Sequence, residues 1–156
     1  MCIKDSDIVS KVIMEYFAFL VTDHGFKKNP EYQYAREIHN EFIRKDMIVS
    51  FTYEGSFDVE FLISKQGYIE LIGNHTGTVN YYYDQFKRYN LSQLDFGNKM
   101  FKELNSSIQN GIIPPNCSDL QLAIYAQLLK QNIEVLQGDF RKFSLIYRIF
   151  KKIGLT

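Results

Sequence analysis

From Ile8 to Leu20 the apolar residues recur three and four positions apart: Ile8, Val9, Val12, Ile13, Tyr16, Phe17 and Leu20. That spacing lays one apolar stripe along a helix. Asp5 or Ser6 is placed to cap its first turn. Gly25 is placed to end it in the left-handed conformation, so that Phe26 folds back on the last turn. Past Asn29-Pro30 the period shortens to two. Tyr32, Tyr34, Ile38 and Phe42 share one parity and predict a strand with interruptions. Met47, Val49, Phe51 and Tyr53 alternate with Ser50, Thr52 and Glu54. After Gly55-Ser56, Phe57, Val59, Phe61 and Ile63 alternate with Asp58, Glu60 and Ser64. Two amphipathic strands joined by a turn follow from this pattern, with the apolar set inward and the polar set in water. A second turn at Lys65-Gln66-Gly67 leads to a further strand over Tyr68 to Ile72. Gly73 to Thr78 reads as a loop, and Val79 to Tyr83 as either more sheet or the next connection.

The helical period returns at Leu91, with Leu94, Met100, Phe101, Leu104 and Ile108 in one segment ended by Asn110-Gly111. Pro114-Pro115 is a rigid break. Ser118-Asp119 then caps an apolar helix carrying Leu120, Leu122, Ala123, Ile124, Ala126, Leu128, Leu129, Ile133 and Leu136. Gly138-Asp139 closes that helix and caps a last one built on Phe140, Phe143, Ile146, Tyr147, Phe150 and Ile153. The order predicts a single α+β domain over residues 1–156: an N-terminal helix, an antiparallel meander of three to five strands, and C-terminal helices on one face of the sheet.

Composition narrows the function classes. Eighteen basic and eighteen acidic residues cancel, which argues against a broad basic face for nucleic acid. The charge is unevenly placed, however. Arg141, Lys142, Arg148, Lys151 and Lys152 form a basic segment without acids, whereas Glu54, Asp58, Glu60 and Glu70 face only Lys65 in theirs. Cys2 and Cys117 make neither a C-x-x-C pair nor a disulfide framework. Asp5, Asp7 and Glu15 interrupt the first apolar run, so no signal peptide is expected. No apolar stretch is long enough to span a bilayer. The expectation is a cytoplasmic protein that does not engage a membrane.

The search for chemistry turns up isolated residues. His24 sits at a helix C-terminus, where a cation suits the helix dipole. Glu37, His39 and Glu41 project to one side of a strand, an arrangement open to general acid–base or metal chemistry but equally ordinary on a solvent-facing strand. His75 lies in a Gly-flanked loop with no nucleophile to pair with, and Gly73 to Gly77 lacks the Lys and the strand-to-helix context of a phosphate loop. Cys117 is near a helix N-terminus but has no His partner. No metal site and no cofactor are expected. Eleven tyrosines, by contrast, exceed what a core needs. Tyr81-Tyr82-Tyr83-Asp84 cannot direct all three rings into the core, and exposed tyrosines beside acids have the character of a binding surface.

Three local features resemble bacterial immunity proteins, the antitoxins of polymorphic or contact-dependent toxin systems: the opening helix running from Phe19-Leu20 to Gly25-Phe26; the meander Ile48 to Glu54 with Asp58-Val59-Glu60-Phe61; and the late helix closing through Asn132 and Leu136-Gln137-Gly138-Asp139-Phe140. The resemblance is architectural and brings no fixed functional residues. It implies a non-catalytic protein that neutralises a cognate toxin by stoichiometric binding. Glu54, Asp58, Glu60, Glu70, Tyr81, Tyr82, Tyr83 and Asp84 are the candidate contacts. Two alternatives stand beside it: a small metal-dependent hydrolase or nuclease using Glu37, His39 or His75, and an adaptor using the basic C-terminal helix.

Overall fold

The opening stripe forms helix α1 (Ser6–Thr22), in a computed structural model of the chain that describes residues 6–69, 85–113 and 118–154. Val9, Ile13, Phe17 and Leu20 are fully buried along it. The helix stops where expected. Asp23 N–H donates to the Phe19 carbonyl at 2.9 Å, and Phe26 N–H reaches back to the Leu20 carbonyl at 3.0 Å across Gly25, whose φ is +71°. That turn buries Phe26 against the end of the helix.

The six described strands are β1 (Lys27–Lys28), β2 (Tyr32–Tyr34), β3 (Glu37–Arg44), β4 (Met47–Tyr53), β5 (Phe57–Ser64) and β6 (Phe86–Asn90). They form one antiparallel sheet in the order β1-β3-β4-β5-β6, with β2 also paired to β3. Register assigns the faces, because residues directly opposite one another in a sheet point to the same side. Phe42, Val49, Phe61 and Tyr89 form one inner row, and Asn40, Phe51 and Val59 the next. Phe51 stands edge-on to Phe17 of α1 at 4.6 Å and to Phe42 at 5.5 Å, which seats α1 on the sheet.

The remaining helices are α2 (Lys99–Gln109), α3 (Ser118–Gln131) and α4 (Leu145–Lys152). Leu122, Leu128 and Leu129 of α3 join the same core as α1 and the inner face, as do Val135, Leu136 and Phe143. The α+β architecture read from the pattern is therefore the architecture found. Among the described residues no helix is long and apolar enough to cross a membrane.

Several local expectations are corrected. Tyr32 to Phe42 is not one strand but a hairpin, turned at Ala35-Arg36 with Ala35 at φ +54°. The turn breaks the parity, so Tyr32 and Tyr34 lie on the face opposite Ile38 and Phe42. Tyr68 and Ile69 are not in a strand, and the partner of β5 is β6, which the pattern missed; the rest of that segment, the Gly73–Thr78 loop and Val79 to Tyr83 lie outside the described residues. The segment from Leu91 is broken into short 3-10 turns before α2, because Gly97 (φ +72°) and Asn98 (φ +55°) leave helical space. The Asp95 carboxylate then accepts the Met100 and Phe101 N–H groups, each at 3.1 Å, and starts α2. The apolar run from Leu120 also divides. Asn132 donates its side-chain amide to the Leu128 carbonyl at 2.7 Å, and residues Ile133–Gln137 tighten to a 3-10 turn. Ser144, not Asp139, caps α4, accepting the Tyr147 N–H at 3.1 Å.

Candidate functional site on the polar face of the sheet

The outer face of the sheet is built by the residues that alternate with the core. Register sets His39, Thr52 and Asp58 in one row with Tyr32, and Glu41, Ser50, Glu60 and Asn90 in the next. Glu37 pairs with Tyr34 two residues before His39. Sequence spacing had grouped Glu37, His39 and Glu41 on one strand, and the structure confirms that grouping. The expectation that this face lies in water holds only in part. His39 is 1% exposed, Glu41 8% and Ser50 4%, while Ile48, Leu62 and Phe86 form a small apolar cluster on the same side.

Buried polar groups need partners, and His39 and Glu41 have them. His39 Nε2 lies 2.9 Å from Glu37 Oε2, its Nδ1 lies 3.4 Å from Thr52 Oγ1, and the Tyr32 ring stacks flat on the imidazole with centroids 4.8 Å apart. The Tyr32 hydroxyl donates to Glu41 Oε1 at 2.8 Å. A general base must reach a substrate proton. The imidazole instead has both nitrogens directed at neighbours and one ring face covered. Glu41 is turned towards Tyr32, and His75 falls outside the described residues. Among the described residues no three His, Cys, Asp or Glu side chains are grouped to hold a metal ion. The arrangement orders the face.

The predicted contacts divide accordingly. Asp58 and Glu60 stand on the outer face of β5, and Glu54 is exposed in the turn before it. Two are already engaged. Arg88 of β6 meets Glu60 through Nε at 3.2 Å and Nη2 at 2.8 Å, and Asn90 donates to Asp58 Oδ1 at 2.7 Å. Arg88 thus offsets part of the acidic character expected of the hairpin. Glu70, Tyr81, Tyr82, Tyr83 and Asp84 lie outside the described residues.

Register adds what spacing missed. With Ile38 opposite Tyr53, the next position brings Glu37 level with Glu54, and Thr52 faces Asp58. Glu37, Glu54 and Asp58 therefore gather at one end of the sheet beside Tyr34, which is 40% exposed, and Arg36 of the β2–β3 turn. Helix α3 holds this end in place. Ser118 Oγ donates to the Gly55 carbonyl at 3.3 Å, Gln121 Oε1 accepts the Phe57 N–H at 2.8 Å, and the Tyr125 hydroxyl donates to the Phe57 carbonyl at 3.3 Å. Burial, with the Asp58 carboxylate adding to it, pushes the Tyr125 hydroxyl well above the usual phenol range.

The basic C-terminal segment is also partly compensated. Arg141 forms a two-point pair with Asp139 at 2.9 and 2.7 Å, which with the Arg141 N–H lowers the Asp139 carboxyl to about 2. Lys142 lies 2.5 Å from Glu134. Partial burial would raise the Glu134 carboxyl, but the Lys142 hydrogen bond and charge outweigh it and the net shift is downward. Compared with known proteins, the chain matches no family model, no curated protein and no solved structure.

Proposed function

We propose that the protein acts by binding another protein, and that it is an immunity protein neutralising a cognate bacterial toxin by stoichiometric contact in the cytoplasm. The observation that carries the reading is the end of the sheet where Glu54 and Asp58 stand exposed, with Tyr34 and half-buried Glu37 beside them. Carboxylates around a half-exposed tyrosine offer long-range steering and a central anchor for a basic partner surface. The three α3 side chains fastened to the Gly55–Phe57 backbone keep that end preorganised, which lowers the ordering cost of binding. The inward engagement of His39 and Glu41 supports binding over the hydrolytic alternative.

The test is co-expression with the product of the adjacent gene. A one-to-one complex by light scattering, together with protection of the host cell, is the expected result. The double variant Glu54→Lys, Asp58→Lys should weaken the complex by about tenfold or more, with a reduced salt dependence of association. Absence of both complex and protection overturns the reading.

A further inference from the structure

A cavity of about 660 Å³ lies between the 3-10 turns after β6 and the last helix, lined by Gln93, Asp95, Phe96, Gly97, Arg148 and Lys152. None of its lining residues comes from the acidic hairpin, and it is independent of the function proposed above. Arg148 and Lys152 are one turn apart on α4, so both present to the same side of that helix. Phe96 and Tyr147 meet at 6.0 Å between ring centroids, which holds α4 against the turn.

The charges in this cavity are not balanced from within. Among the described residues that line it Asp95 is the one acid, it is 7% exposed, and its two carboxylate oxygens accept the Met100 and Phe101 N–H groups. Neither Arg148 nor Lys152 has an ion-pair partner among the described residues. Arg148 Nε is buried with no hydrogen-bond partner there either. A buried donor left unpaired destabilises the fold, and more so when it carries charge, so the site favours an acceptor. Guanidinium recognises carboxylate and phosphate oxygens through parallel N–H bonds, and the ammonium of Lys152 adds a second cation at the mouth.

The rim indicates the rest of the ligand. Leu145, Ile149 and Ile153 are 71%, 48% and 62% exposed. At 100° per residue their stripe runs directly beside that of Arg148 and Lys152. Phe96 supplies an apolar wall inside.

We propose that this cavity binds an oxyanion, a carboxylate or phosphate group carried on an apolar body, with Arg148 and Lys152 as its cationic partners and the α4 stripe against its tail. The test is titration of the full chain with inorganic phosphate, with octanoate, and with phosphatidylserine–phosphatidylcholine vesicles, followed by calorimetry and amide chemical shifts. Saturable binding of octanoate, tighter than phosphate and displacing it, with shifts at Gln93 to Gly97 and along α4, is the expected result. Binding to vesicles without binding of octanoate supports the same oxyanion site and assigns its source to a lipid headgroup. Lys152→Gln, at an exposed position, and Arg148→Gln should each weaken binding by about tenfold, whereas Lys27→Gln on β1 should leave it unchanged. A melting temperature within error of the parent shows that the variants fold. Failure of all three probes to bind, or binding indifferent to both Arg148→Gln and Lys152→Gln, overturns the proposal.

Discussion

The two faces of the sheet are made by alternate residues of the same strands, and they are stabilised in different ways. On the inner face Phe42, Val49, Phe51 and Phe61 have no exposed surface and pack on α1 and α3. On the outer face His39 and Glu41 are buried almost as deeply, yet each is held by a directed partner: Glu37 and Thr52 for His39, Tyr32 for Glu41. Burial of apolar surface is non-directional and tolerates small errors in position. A buried polar group demands a partner at a set distance or it destabilises the fold. The outer face is therefore the more exacting of the two. Among the described residues its exposed carboxylates, Glu54 and Asp58, stand at the end where they meet Glu37.

This contrast can be broken from either side. The largest effect is expected from Phe51→Ala, which removes a ring lodged between Phe17 and Phe42. A loss of about 3–5 kcal/mol in denaturant unfolding is expected, and a loss below 1 kcal/mol would mean that the inner face is not closely packed there. Tyr32→Phe keeps the ring over His39 and deletes only the hydroxyl that meets Glu41. Its expected cost is about 1–3 kcal/mol by the same measurement, and no loss would show that the outer face does not depend on directed partners. Tyr125→Phe removes one of the three ties from α3 to the hairpin at a cost of about 0.5–1.5 kcal/mol. Faster amide exchange should then be confined to the β4–β5 turn, and uniform acceleration along the chain would refute that local role. The smallest effect lies off both faces. Asp139 should titrate at about 2 by carboxyl NMR, below its ordinary 3.8, because Arg141 holds its charged form. Its contribution is present above the ordinary carboxylate pKa and is lost as pH falls through the folded value. A midpoint near 3.8 would show the pair to be unformed in solution.

Particular residues show how far the pattern alone could reach. The alternation from Met47 to Ile63 fixed a hairpin whose inner and outer sets the structure reproduces, because a one-residue slip would turn every apolar side chain to the wrong face. Strand β6 escaped because Phe86 and Tyr89 are three apart, a helical spacing, and only pairing with β5 makes that segment a strand. The hairpin at Ala35-Arg36 escaped because neither residue is a usual turn former, although Ala35 adopts φ +54° there. For the candidate site, Glu54, Asp58 and Glu60 were legible as the polar side of an amphipathic strand. Their neighbours were not: the partner of a strand residue is set by register across the sheet, and Arg88, Asn90, Tyr34 and Glu37 come from other strands.

The sequence by itself determined the α+β class, the apolar stripe and the stop of α1, and the β4–β5 hairpin. Each follows from local periodicity, capping and the exclusion of apolar surface from water. Tertiary structure alone decided which polar groups meet. It closed Tyr32 over His39, neutralised Glu60 with Arg88, brought Glu37 level with Glu54, and set Arg148 at a cavity with no ion-pair partner among the described residues. Those outcomes depend on distances between residues far apart in the chain, and charge and hydrogen bonding act only across such distances once folding has set them.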